Sequence, residues 1–165
     1  MEKADTTRNT YANSELVEQS VHYIETEHYE LALELLEFCL SKELSRDFTN
    51  EQKLMCRINK AQTLKWADKQ DEMEAFIASV DMSGCGKEFD MELDILKDDF
   101  SNAAKRLSSI YDSSDLINQH SFVEPLYKYF IQSKEFKKEY KKIYKTDFAD
   151  YEHEKPLLTK LTTST

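Results

Sequence analysis

The sequence predicts an all-α fold, and three observations carry the prediction. Only two glycines and two prolines occur in 165 residues, where average usage gives roughly 12 and 8. Helix interiors tolerate neither residue and β-rich folds draw on glycine for turns, so the scarcity favours long helices with short connections. Apolar residues recur at spacings of three and four, the period of a helix that buries one face. The stretch His28–Leu40 is the clearest case. Tyr29, Ala32, Leu33, Leu36, Cys39 and Leu40 share one stripe. The small residues Ala32 and Cys39 on that stripe let a neighbouring helix approach closely.

Taken in order, residues 1–9 are polar and read as a flexible arm. A helix begins at Thr10 or Asn13, with Leu16, Val17, Ser20, Val21, Tyr23 and Ile24 at helical spacing. Asn13 or Ser14 caps it, and Glu15 and Glu18 suit the positive end of the helix dipole. It ends near residues 25–27, and a second helix over 29–43 forms a hairpin with it. Thr49 or Asn50 caps a third helix carrying Leu54, Ile58, Ala61, Leu64 and Trp66. After a turn at 67–71, Met73, Phe76, Ile77 and Val80 mark a fourth, stopped by the loop Ser83–Gly86. Phe89, Leu93 and Leu96 mark a fifth, and Phe100, Ala103, Ala104, Leu107 and Ile110 a sixth. A seventh is expected from about Ser121, with Pro125 in its first turn and Phe122, Leu126 and Phe130 buried. Ser133 caps an eighth, whose stripe is Phe136, Tyr140, Ile143 and Tyr144. The polar tail, 147–165, is expected to be mostly disordered.

Charge and composition narrow the function classes. The formal charge is −10, and residues 116–165 hold nine Lys against seven Asp or Glu, so the first 115 residues carry −12. Such a body repels phosphates, which argues against direct nucleic-acid binding and against an anionic membrane surface. No apolar run follows the N-terminus and none approaches membrane-spanning length, so a cytoplasmic protein is expected. Cys39, Cys56 and Cys85 are far apart, no CxxC pair exists, and His22, His28, His120 and His153 do not cluster near them. No metal or cofactor is expected, because structural zinc needs four converging ligands at short paired spacings.

Catalysis finds little support. Paired acids such as Asp98-Asp99 fall on helix ends and turns, whereas acid–base work needs a cleft that separates their pKa values. Ser83-Gly84-Cys85-Gly86-Lys87 is too short for a phosphate loop and follows no strand. Cys85 has Lys87 nearby but no local base. Lys134, Lys137, Lys138, Lys141, Lys142 and Lys145 read as the solvated face of the last helix, diluted by Glu135 and Glu139. The aromatic residues beside them match its buried stripe rather than an exposed stacking platform.

Segment 13–44 resembles a tetratricopeptide repeat. Leu16, Ser20 and Tyr23, then Ala32, Leu36 and Cys39, stand where that family places large, small and aromatic residues in helix A and small, large and small residues in helix B. Gln19 replaces the usual leucine and Leu44 the closing proline. A second unit, about 54–82, keeps Ala61, Leu64, Ile77 and Val80 but has Met73 at the alanine site. A third, about 84–111, keeps Phe100, Ala103, Leu107 and Ile110. The steps from Ala32 to Met73 and from Met73 to Ala103 are 41 and 30 residues, against a usual period of about 34.

The resemblance implies a right-handed stack of antiparallel helical hairpins, seven or eight helices over 10–146, that binds another protein on its concave helix-A face. Carried over, that face holds Val17, Val21, Ile24 and Glu25 from the first repeat, and Gln62, Lys65 and Trp66 from the second. The expected function is therefore a non-catalytic interaction module or adaptor, with its apolar inner residues covered by a partner segment, by the N-terminal arm or by a second subunit. The alternative from charge is an acidic inhibitor or antitoxin-like protein that covers a basic, nucleic-acid-binding surface of its partner.

Overall fold

The computed structural model describes residues 2–44, 46–80, 86–111, 122 and 124–148, with side chains from residue 12 onward. Every regular element among the described residues is helical. α1 spans Glu2–Glu25, α2 Tyr29–Cys39, α3 Asn50–Trp66, α4 Gln70–Ser79, α5 Lys87–Leu96, α6 Phe100–Tyr111 and α7 Lys134–Tyr144. Two short 3-10 turns lie at Pro125–Tyr127 and Phe130–Gln132. Where the sequence suggests one helical domain over 10–146, the chain divides into two compact units, Met1–Phe89 and Asp90–Thr165. The division falls within α5, just downstream of the only two glycines.

The first six helices form three hairpins closed by one recurring turn. Glu27, Asp68 and Asp98 adopt φ of 60°, 58° and 59°, the left-handed region. Around each, two backbone bonds finish the preceding helix. The His28 N–H donates to the Tyr23 carbonyl at 2.8 Å and Glu27 to Ile24 at 3.2 Å; Lys69 donates to Leu64 at 2.9 Å and Asp68 to Lys65 at 3.2 Å. In the third hairpin Asp99 donates to Asp94 at 2.8 Å and Asp98 to Ile95 at 3.0 Å. This is a Schellman closure, which satisfies carbonyls that a helix end leaves unpaired. At one fixed offset after each left-handed residue stand Ala32, Met73 and Ala103, and at one fixed offset before it Ser20, Ala61 and Met91. All six are at most 1 % exposed. The sequence steps of 41 and 30 are thus the spacings of three equivalent turns.

In the first unit α1 packs on α2 and α3, and α3 on α2 and α4. Its core joins Val17, Ile24, Ala32, Leu36, Cys39, Phe48 and Cys56. α1 starts at Glu2, within the stretch 1–9 that the sequence suggests as an arm. No glycine or proline interrupts it. Thr49 caps α3 through a reciprocal box: its Oγ1 accepts the Gln52 N–H at 3.1 Å, and Gln52 Oε1 accepts the Thr49 N–H at 3.0 Å. The connection 40–49 folds back over α1. Asn13 Nδ2 donates to the Asp47 carbonyl at 2.9 Å, Gln52 Nε2 donates to Ser14 Oγ at 3.2 Å, and Phe48 enters the core at 4 % exposure. Only Met73 of α4 is fully buried, while Phe76 and Ile77 are half-buried. Residues 81–85, which hold most of the expected stop loop and Cys85, lie outside the described residues.

In the second unit α5 buries Met91, Ile95 and Leu96, and Leu93 is only half-buried, as is Phe89 at the end of the first unit. Arg106 of α6 holds α5 through Nε on Asp94 at 2.6 Å and Nη1 on Asp90 at 3.1 Å. The helix expected from Ser121 is replaced by the two 3-10 turns. Pro125 drives the residue before it out of the helical region, and Glu124 sits at φ −65°, ψ 150°. The expected buried residues Phe122, Leu126 and Phe130 are nevertheless buried, joined by Tyr127. Phe122 meets Tyr127, Phe136 and Tyr140 edge to face, with ring centroids 5.6, 5.1 and 5.9 Å away. α7 lies on α6 and is capped by Ser133, whose Oγ accepts the Phe136 N–H at 3.1 Å. Its five lysines, and Lys145 at its C-cap, are exposed, as expected of a solvated face. Asp147 and Phe148 belong to this unit rather than to a tail. Asp147 pairs with Lys141 at 2.9 Å, and Phe148, 6 % exposed, packs on Phe136 and Tyr140. Residues 149–165 lie outside the described residues.

Candidate functional site

Three of the seven residues expected on the helix-A surface are interior. Val17 and Ile24 are 4 % and 1 % exposed and form part of the first unit's core, against which the half-buried Trp66 packs. Gln62 is 3 % exposed. These positions therefore hold the helices together instead of offering surface, because α1, α2 and α3 close over them. Of the seven residues, Val21, Lys65 and Trp66 are half-buried and Glu25 is exposed, so four present surface.

Gln62 has a specific cost. Its Nε2 is buried without a hydrogen-bond partner among the described residues. An unsatisfied buried amide costs about 1–3 kcal/mol. Gln62→Met, which keeps the shape and removes the amide, is expected to stabilise the first unit by about 1 kcal/mol. Urea denaturation followed by Trp66 fluorescence measures it, and a destabilised variant would mean that the amide is satisfied in solution.

A groove on different elements is the more developed surface feature. It lies between α2, α3 and α4 and encloses about 260 Å³. Leu33, Leu64 and Phe76 supply its apolar lining, Glu30, Glu34, Glu37 and Glu72 its carboxylates, and Lys60 and Lys69 its cations. The α2 glutamates follow from spacings of four and three, which put them on one helix face. Both lysines are already engaged. Lys60 Nζ bonds Glu37 at 3.2 Å and sits 5.0 Å from the centre of the Phe76 ring, and Lys69 Nζ bonds Glu30 at 3.2 Å. Glu34 and Glu72 make no ion pair among the described residues. Sequence reading missed this groove because it spans three helices. Its one linear signal is the glutamate row on α2, which looks like any solvated face.

Among the described residues no group of three or more His, Cys, Asp or Glu is placed to hold a metal ion, and no helix is long and apolar enough to cross a membrane. Cys39 and Cys56 are free and buried between α2 and α3. The hydrogen bond that Cys56 shares with Cys39, and then burial, push the Cys56 thiol far above its ordinary range, which keeps it protonated and unreactive. Compared with models of known families, with curated proteins and with solved structures, the chain matches none.

Proposed function

We propose that the chain is a non-catalytic protein-interaction module built from tetratricopeptide-like helical hairpins. The observation that carries this reading is the turn repeated at Glu27, Asp68 and Asp98, with a buried residue at the same offset on either side. Stacked hairpins bury a continuous core between neighbours and leave extended surfaces on the outside, and such surfaces suit other chains better than small substrates. The surfaces available are the remnant of the helix-A face at Val21, Glu25, Lys65 and Trp66, and the groove between α2, α3 and α4.

The test is affinity capture from the native source with the full chain as bait, beside Val21→Glu, Trp66→Ala and groove variants that remain helical by circular dichroism. A partner held by the parent chain and lost with one set of surface variants supports the reading. Retention of no protein in stoichiometric amount, or of the same proteins by every variant, overturns it.

Charge favours a second reading, an acidic protein that covers a basic surface of its partner. Residues 1–89 hold 18 Asp or Glu against 10 Lys or Arg, and α2 and α4 contain no basic residue at all. Binding of that kind weakens steeply as salt rises, so an affinity insensitive to salt would count against it.

A further inference from the structure

We propose that the groove between α2, α3 and α4 receives a lysine or arginine side chain from a peptide segment of a partner protein, while a large apolar side chain of the same segment seats on the neighbouring stripe Leu31–Leu35–Phe38 of α2. This rests on the reading of the chain as an interaction module and names the chemistry of the partner.

Two independent features of α2 support it. The first is unbalanced charge inside a partly apolar groove. Four carboxylates line it against two ammonium groups, and both ammonium groups are held by Glu37 and Glu30. Glu34 and Glu72 are left to meet a cation from outside. The space of about 260 Å³ suits one long side chain. Leu33, Leu64 and Phe76 match the methylene stem of lysine or arginine, and the carboxylates match its head.

The second feature is a second apolar stripe on a helix that has already buried its first. Leu31 and Phe38 are 45 % and 57 % exposed, two of the five exposed large apolar side chains in the described residues, and Leu35 between them is half-buried. At about 100° per residue, these three fall within about 60° of one another on the helix. The α2 glutamates lie between this stripe and the groove. Apolar surface bordered by charge is how a protein interface is composed, with a dry anchor and a polar rim.

The same charges reject other occupants. A second copy docking α2 against α2 would bring two rows of glutamates together, and like charges in register are unfavourable. Nucleic acid and anionic lipid are repelled by the acidic first unit. A segment that alternates basic and large apolar side chains satisfies both features at once.

The full chain is tested against a phage-displayed library of random peptides. The expected peptides place Lys or Arg close to Leu, Phe, Met or Trp. Their affinity is expected to fall by about tenfold or more for Glu34→Lys/Glu72→Lys, as for loss of charge-assisted contacts, and also for Phe38→Ser. All three side chains are exposed, so the variants are expected to keep the parent circular dichroism, and Glu34→Gln/Glu72→Gln provides a shape-matched check. Recovery of no peptides, peptides without an excess of Lys or Arg, or equal binding by the charge-reversed chain would overturn the proposal. If the natural partner is lost with Val21→Glu or Trp66→Ala but captured normally by Glu34→Lys/Glu72→Lys, the groove assignment falls and the module reading stands.

Discussion

Replacing Phe122 with alanine is expected to destabilise the second unit by about 3–5 kcal/mol, the usual cost of removing a fully buried phenylalanine. The ring is 0 % exposed and meets five others edge to face: Tyr127, Phe136, Tyr140, Tyr144 and Phe148. These rings come from a 3-10 turn, from α7 and from Phe148 just after it. Each edge-to-face pair also adds about 0.5–1.5 kcal/mol beyond its buried area. Urea denaturation read by near-ultraviolet circular dichroism measures the loss. The only tryptophan lies in the first unit, so its fluorescence separately reports that unit. A loss below about 1 kcal/mol, the scale of a surface change, would mean that Phe122 does not occupy the centre of this cluster.

Glycine at the recurring turn is expected to act in the opposite direction. Glu27 and Asp68 hold φ near 60°, with exposed side chains. A residue with a Cβ pays about 1–2 kcal/mol for that conformation, and the freer unfolded chain of glycine takes back about 0.5–1 kcal/mol. Glu27→Gly and Asp68→Gly together are therefore expected to stabilise the first unit by about 1–2 kcal/mol, a net gain of roughly half that for each. Asp68→Val is expected to destabilise it, because a β-branched residue is the worst occupant of a left-handed turn. Trp66 fluorescence in urea follows both. Destabilisation by both glycine variants would show that the turns are not closed as described.

The helices were legible from the sequence because their signals are local. Thr49 and Ser133 cap the helices they were expected to cap, and α6 buries Ala103, Ala104, Leu107 and Ile110 in the expected stripe. The equivalence of Ala32, Met73 and Ala103 was legible too, even though one of the three is not alanine. Where the reading failed, a non-local contact or a backbone constraint decided the outcome. Phe148 looks like part of a polar tail until Phe122, Phe136 and Tyr140 surround it. Pro125 turns an expected helix into two tight turns through the residue before it. Three of the seven residues expected on the helix-A surface, Val17, Ile24 and Gln62, lie inside. Sequence period alone cannot say which face α2 and α3 will cover. The groove needed three helices to exist before its residues belonged together.

The longer step between the first and second turns has a practical meaning. Most of the excess over the shorter step is the greater length of α3 than of α5, and the rest is chiefly the connection 40–49, which carries Phe48, which plugs the core, and Asp47, whose carbonyl anchors Asn13. That stretch is a stopper for the open end of the first hairpin rather than slack. Trimming it to regularise the repeat would uncork Val17, Leu36 and Cys39. Designs that graft or circularly permute this protein have to carry the stopper along with the hairpin it seals.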